Sequence, residues 1–218
     1  ALFRNGLAAP GQRWAPVLLE GGGEGEDAAR TAFLQAATRL INELGYRGAS
    51  VQRIASELNV TKGSFYHHLD AKDDLVAACY RRSFETILAA QRSAESVGGS
   101  EYARLSSAIA TLVDVQLSDG GPLLRTTALS GLPPSERQAM IDWSNRIARR
   151  YAGTISDGIA EGSIRPVDAA VASQAIMAIQ NAAFDMRGWA APMPRARAVA
   201  LYASTVMTGL FDDPAVDD

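Results

Sequence analysis

Two short helical segments separated by a tight turn most restrict what this chain can fold into. Residues 51–58, VQRIASEL, carry apolar residues on one side, and a second helix begins within residues 61–68, TKGSFYHH. Asn59 tolerates the left-handed backbone of such a turn, and Val60 supplies an apolar plug. A short turn holds two helices at a steep angle, so the second can enter a DNA groove while the first crosses the backbone.

The second helix has an unusual composition. Residues 61–68 hold Lys62, which is one of two lysines in the chain, together with both histidines and two adjacent aromatic residues. A helix of this kind presents a basic, hydrogen-bonding face that suits phosphates and base edges. The alternative is a solvated surface helix whose histidines are incidental, and the preceding helices favour the DNA-binding interpretation.

An amphipathic helix precedes this pair. Residues 28–44 place apolar side chains at helical spacing, and Gly45 follows as the predicted stop. Ser50 can then cap the helix that begins at Val51. These features predict a helix-turn-helix inside a three-helix unit.

The same stretch resembles the N-terminal DNA-binding domain of the TetR family of transcriptional repressors. The resemblance covers residues 29–80 and includes GYRGAS, IASELNV, TKGSFYHH and the KDDLV start of a fourth helix. One departure is Ala71, where the family usually has a serine cap; Asp70 is the alternative cap here.

Helical period and resemblance together predict an all-α protein of about nine helices. Residues 1–27 are expected to be a flexible segment with a glycine-rich linker, although an apolar patch around Trp14 favours docking. Residues 28–74 form the predicted helix-turn-helix domain, and the fourth helix joins it to a helical ligand-binding and dimerisation domain over 75–218. The helices predicted after the three-helix unit span residues 72–97, 101–118, 122–130, 134–162, 167–189 and 194–211.

The net charge of -3 divides unevenly along the chain. Residues 28–97 carry nine Lys and Arg against seven Asp and Glu, a net of +2, and the rest of the chain is acidic. This asymmetry favours a localised DNA-facing surface.

We expect the third helix to enter the major groove, with Phe65 as a core anchor. A symmetric dimer would then read a palindromic operator in double-stranded DNA. The residues expected to contact phosphates or bases are Ser50, Gln52, Arg53, Thr61, Lys62, Gly63, Ser64, Tyr66, His67 and Lys72.

The last two predicted helices carry more apolar surface than one inward face requires. Their small residues allow close helix packing, which favours a homodimer through a four-helix bundle. The alternative is that both helices are central in the monomer.

The resemblance also implies a small-molecule effector in the C-terminal domain, whose binding moves the fourth helix. An arginine facing the pocket would favour an anion, but the chemical class stays open, and each candidate could equally be ordinary core. The competing hypothesis is an architectural or partner-controlled repressor with a solid body and no ligand. The pocket candidates are Gln116, Arg125, Met140, Trp143, Tyr151, Met177, Asn181 and Phe184.

Residue types that serve catalysis are scarce. No phosphate loop, zinc spacing or nucleophile motif is apparent, so neither an enzyme nor a cofactor or metal is expected. Cys79 is interpreted as a small apolar residue, with a redox sensor as the alternative, and a lone cysteine fits the cytoplasm. No apolar run approaches the roughly 20 residues of a membrane span, so no membrane association is expected.

Overall fold

A computed structural model describes residues 5–19, 28–57, 72–118 and 122–209, and helices dominate these ranges. The all-α prediction is confirmed. The described ranges contain no strand beyond one isolated bridge between Ala8 and Ile164. The α-helices are α1 Ala28–Gly48, α2 Val51–Glu57, α3 Lys72–Ala94, α4 Glu101–Leu117, α5 Pro134–Glu161, α6 Ala169–Ala182, α7 Arg187–Ala190 and α8 Arg195–Met207, with 3-10 helices over Thr126–Gly131 and Ala183–Met186.

The described residues form two compact units. Unit one comprises residues 5–19, 87–117 and 145–209, and unit two comprises the described residues of 23–86 and 118–144. Two helices therefore contribute to both units. The boundary between the units falls within α3 after Thr86 and within α5 after Ser144, although both helices are continuous. The sequence had predicted the domain boundary between residues 74 and 75.

The predicted signals at the first two helices are confirmed. Gly45 adopts φ 71 and ψ 168, which interrupts α1 before a last turn that ends at Gly48. Ser50 caps α2, because its Oγ accepts a hydrogen bond from the Arg53 N–H at 3.2 Å. Ile54 is fully buried on the inner side of α2.

The segment before α5 differs from the predicted helix over residues 122–130. Residues 122–125 are not helical, Arg125 is extended, and only Thr126–Gly131 is helical, as a 3-10 turn. Asn42 of α1 donates to the Leu123 carbonyl at 2.9 Å and accepts from the Arg125 N–H at 3.0 Å. Ser83 of α3 accepts from the Leu124 N–H at 2.8 Å. Buried side chains thus take the backbone groups that a helix would pair internally.

The predicted helix over residues 167–189 is divided into three pieces. Asp168 caps α6 by accepting from the Val171 N–H at 2.9 Å. At the other end, the carbonyls of Ile179 and Gln180 accept hydrogen bonds from side chains of Tyr202 and Gln116. The chain tightens to a 3-10 turn directly after these carbonyls, over Ala183–Met186.

Helix α4 forms the centre of unit one. Its residues 105–113 are all buried, so the helix is covered on every side. Helix α8 and the segment around α6 pack on α4. The N-terminal stretch covers the remaining face.

Residues 5–19 pack against the helices of unit one, unlike the predicted flexible segment. Leu7 is fully buried, and its N–H donates to the Met207 carbonyl at 2.9 Å. Further along, the N–H of Val17 donates to Ser107 Oγ at 3.0 Å, and that of Leu19 donates to Thr111 Oγ1 at the same distance. We call residues 5–19 the N-terminal arm.

Candidate DNA interface and effector cleft

The predicted DNA contacts on α2 are accessible. Ser50, Gln52 and Arg53 are all exposed at the start of this helix, next to one another on the surface of unit two. The other predicted contacts in the turn and third helix lie outside the described residues, as does the expected core anchor Phe65. These are Thr61, Lys62, Gly63, Ser64, Tyr66 and His67.

Lys72 begins α3 and is held by the end of α1. Its ammonium donates to the carbonyl oxygen of Tyr46 and lies 4.2 Å from the centroid of the Tyr46 ring. Burial lowers the pKa of Lys72, and the neighbouring carboxylate of Asp73 opposes this shift. The positive charge at the start of α3 therefore has a defined position.

Tyr46 is a functional candidate that the sequence did not reveal. Its hydroxyl donates to the Asp73 carboxylate, and this hydrogen bond, reinforced by burial, raises the pKa of Tyr46 to about 12. The ring also presses on the backbone of Gly131, where any Cβ would overlap ring atoms. Because Gly131 is distant in sequence, no local pattern could have indicated this contact. We call Tyr46, Lys72, Asp73 and Gly131 the Tyr46 cluster.

The eight predicted pocket residues are divided between the two units. Arg125, Met140 and Trp143 belong to unit two, where the Trp143 ring lies 5.3 Å from that of Phe84. The other predicted residues belong to unit one. They are Gln116, Tyr151, Met177, Asn181 and Phe184.

Three buried polar residues form a chain inside unit one. Gln116 Nε2 donates to the Gln180 carbonyl at 2.8 Å, and Gln180 Nε2 donates to the Tyr151 hydroxyl at 2.8 Å. Burial raises the pKa of Tyr151 to about 12, so the phenol stays neutral. Gln180 Oε1 is buried and has no hydrogen-bond partner among the described residues. Gln180 was not a sequence candidate, since a glutamine on an alanine-rich helix gives no distinctive signal.

A cleft of about 260 Å³ lies in unit one between the end of α3, the start of α4 and α5. Tyr151 lines it, so the wall of the cleft is continuous with the buried polar chain. Arg150 is part of the same wall and donates to Gln91 Oε1 at 3.2 Å and to Glu95 at 2.7 Å. Arg104 pairs with Glu101 nearby. The cleft therefore combines a small apolar floor with a charged rim.

Three further features bear on other functions in the described residues: metal clusters, the free cysteine and membrane-spanning helices. They contain no cluster of His, Cys, Asp and Glu able to hold a metal ion. Cys79 is fully buried, and its Sγ lies 3.7 Å from the Leu34 carbonyl. No described helix combines the length and apolar character that crossing a bilayer requires.

Two family matches agree with this arrangement. Residues 33–79 match the family described as bacterial regulatory proteins, tetR family, and residues 98–185 match the tetracyclin repressor-like C-terminal domain. Fold and matches define a DNA-binding transcriptional regulator with an N-terminal helix-turn-helix and a C-terminal helical domain. More narrowly, the chain belongs to the TetR family.

Individual proteins that the chain resembles share about a quarter of its sequence or less. The chain is 26% identical over 143 residues to the HTH-type transcriptional repressor KstR2 of Rhodococcus jostii, covering 65% of this chain and 70% of that protein. The regulator PfmR of Thermus thermophilus superposes with a TM-score of 0.65 at 24% identity, over 83% of this chain and 99% of that one. AibR, crystallised with isovaleryl coenzyme A and operator DNA, gives a TM-score of 0.67 at 19% identity, over 81% and 96% of the two chains.

Proposed function

We propose that this regulator is a homodimeric repressor that binds a palindromic operator and releases it when a small molecule occupies the cleft in unit one. The observation that carries the effector half is the continuity of the cleft wall with the buried chain Tyr151, Gln180 and Gln116. Polar groups in a core usually pair fully, and an incompletely paired set beside a cleft is typical of a ligand site.

The DNA half is supported by the surface of unit two. Gln52 and Arg53 are exposed on α2, and Lys72 carries its charge at the start of α3. Side chains of these types contact phosphates in protein–DNA complexes and fix the register of the recognition helix. Contacts to phosphates or bases are proposed for Lys62, Ser64, Tyr66 and His67 by their positions in the family motif.

The chemistry of the cleft guides the choice of effector to test. Arg104 and Arg150 at the rim are the cations available to an anionic ligand, although each already faces a carboxylate. Gln180 Oε1 lies buried behind Tyr151 of the cleft wall, and leaving such an acceptor unpaired costs roughly 1–3 kcal/mol. Since AibR was crystallised with isovaleryl coenzyme A, acyl-coenzyme A thioesters are the first class to test.

The DNA half is tested by selecting a preferred duplex from a random library and measuring its dissociation constant. Lys62→Ala combined with Tyr66→Ala is expected to weaken binding by about a hundredfold or more, because both a phosphate and a base contact are lost. Arg13→Ala is the control, since Arg13 is an exposed cation on the N-terminal arm. Retained affinity in the double variant would refute the contact assignment.

The effector half is tested by thermal unfolding with isovaleryl coenzyme A, coenzyme A and isovalerate. A ligand at a hundred times its Kd adds about 2.7 kcal/mol, which raises the Tm of a chain of this size by roughly 5–11 °C. The same compound should release the selected duplex, and Tyr151→Phe should reduce both effects. If no compound in a wider screen stabilises the protein, the alternative of a repressor without a ligand is favoured.

A further inference from the structure

The Tyr46 cluster joins three elements that are far apart in sequence. Tyr46 lies at the end of α1, Lys72 and Asp73 begin α3, and Gly131 ends the 3-10 helix that precedes α5. All four residues belong to unit two. The cluster therefore links the start of α3 to a segment that lies within the C-terminal family match.

Gly131 and the Tyr46 ring are in close contact, with no room for a side chain between them. A Cβ built on Gly131 would overlap Cγ, Cδ1 and Cδ2 of the Tyr46 ring together. The peptide backbone thus lies directly against the ring. Any shift of Gly131 toward α1 must move the ring, because atoms in van der Waals contact cannot interpenetrate.

Gly131 in turn is fixed to α5. The guanidinium of Arg137, in the first turns of α5, donates to the carbonyls of Leu129 at 3.1 Å, Ser130 at 3.4 Å and Leu132 at 2.9 Å. Three hydrogen bonds from one planar group hold this loop to the helix. Consequently the loop around Gly131 follows the first turns of α5.

Helix α5 also contributes to the cleft. It is one continuous helix over Pro134–Glu161, and its residues Arg150 and Tyr151 line the cleft in unit one. The Tyr46 carbonyl and ring in turn hold the Lys72 ammonium. A path of contacts thus runs from Arg137 of α5 through the loop around Gly131 and the Tyr46 ring to Lys72.

We propose that Tyr46 is a positioning residue, through which α5 sets the position of Lys72 and the start of α3 for DNA binding. This inference rests on the proposed function only in naming DNA binding as the outcome. A groove of about 570 Å³ beside the ring, bordered by Leu44, Arg47 and Ala128, gives the side chain a second place to lie. Helix α3 alone is the route that the sequence predicted, and Tyr46 adds a second one.

Gly131→Ala tests the proposal because the added methyl group displaces the ring without an effector. We expect it to weaken binding to the selected duplex about tenfold at 25 °C, since overpacking a close contact carries a penalty of this order. Amide exchange over residues 72–80 should rise about fivefold or more. Gly98→Ala is the control, because a Cβ there has no atom within 4 Å, and it should change neither quantity.

A double-mutant cycle separates the positioning role of Tyr46 from a general loss of stability. In the Tyr46→Ala background the ring is gone, so adding Gly131→Ala should weaken DNA binding no further. Additive losses in the double variant would overturn the proposal, as would unchanged DNA affinity in folded Gly131→Ala protein. If Gly131→Ala does not fold, Arg137→Ala replaces it, because this change removes three hydrogen bonds without a clash. It should also weaken DNA binding and raise exchange over residues 72–80.

The amide-exchange measurement keeps the two proposals distinguishable. If the wild-type protein selects no duplex at low salt, the proposed function fails, and exchange over residues 72–80 still decides the role of Tyr46. If the wild type binds DNA but Gly131→Ala leaves that exchange unchanged, the proposed function stands and the positioning role is refuted.

Discussion

At the scale of single residues, burial decides what Cys79 can do. The thiol is fully buried in unit two, and burial raises its pKa to about 11. Only the thiolate reacts readily with oxidants and disulfides, so a raised pKa and lack of access both suppress this chemistry. The geometry favours the interpretation of Cys79 as an apolar core residue over the redox sensor.

We therefore predict that Cys79 is protected from thiol reagents in the folded protein. At pH 8, well below a pKa of about 11, the native protein should react with a disulfide reagent at least a hundredfold more slowly than protein unfolded in urea. The measurement follows the released chromophore with time. Native labelling at the unfolded rate would restore the redox-sensor hypothesis.

At this scale the sequence predicts helix caps and stops, but it does not predict contacts between residues that are far apart in the chain. The stop at Gly45 and the cap at Ser50 each depend on a few neighbouring residues, so the sequence predicted both. The role of Tyr46 depends on Gly131, which no short-range pattern connects to it. Similarly, Gln116 and Tyr151 were candidates, but the Gln180 that joins them was missed.

At the scale of elements, the N-terminal arm explains how α4 can be buried on all sides. Ser107 and Thr111 would present polar hydroxyls on an otherwise apolar helix, and the arm pairs them with its own N–H groups. Near its beginning, Gly6 adopts φ 58 and lies against the backbone of Met207. The glycine-rich stretch made a flexible segment the simplest expectation, because backbone pairing with a distant helix leaves no periodic signal.

We predict that the arm is fixed at Gly6. Gly6→Ala introduces a methyl group that would overlap the Met207 carbonyl, whereas Gly11→Ala, also at positive φ, meets no atom within 4 Å. Both variants incur the cost of a left-handed alanine, roughly 1–2 kcal/mol. Gly6→Ala should lose a further 1–3 kcal/mol or so, which lowers the Tm by several degrees more.

Limited trypsin digestion checks the same prediction locally. Arg13 lies in the arm and is exposed, so cleavage after it reports how often the arm detaches. Gly6→Ala should be cut faster than Gly11→Ala at this position. Equal Tm losses with equal cleavage rates would show that the arm is not anchored at Gly6.

The segment before α5 shows why helical period can mislead at the element scale. A helix was predicted over residues 122–130, but residues 122–125 are not helical, and Leu123 and Leu124 are buried there. The deciding interactions are the hydrogen bond that Asn42 donates to the Leu123 carbonyl and the one that Ser83 Oγ accepts from the Leu124 N–H; both side chains belong to distant helices. The local conformation of this segment therefore depends on tertiary partners that no short-range pattern reveals.

At the scale of the whole molecule, exposed apolar side chains are the candidates for the interface of the proposed homodimer. Among the described residues, the large hydrophobic side chains that remain exposed are Val17, Leu18, Val171 and Trp189, and all four belong to unit one. Other apolar residues of the last helices, such as Ile176 and Val206, are buried within the chain. The surplus surface is therefore smaller than predicted from the sequence, and it centres on the start of α6 and on α7.

This distribution predicts that Val171, 64% exposed on α6, contributes to the dimer. Val171→Glu should weaken self-association at least tenfold in sedimentation experiments, because a buried unpaired carboxylate is costly at an interface. Ser156→Glu is the matched control, since it adds the same charge at an exposed position of α5 in unit one.

The same pair of variants connects dimerisation to DNA binding. In the proposed dimer, two helix-turn-helix domains bind the two half-sites of a palindrome together. Two monomers must bind the half-sites separately, so they lose the gain in effective concentration. Val171→Glu should therefore lower affinity for the selected duplex, and Ser156→Glu should not. A Val171→Glu protein that remains dimeric places the interface elsewhere. A monomeric Val171→Glu protein with full affinity would mean that one copy suffices to read the operator.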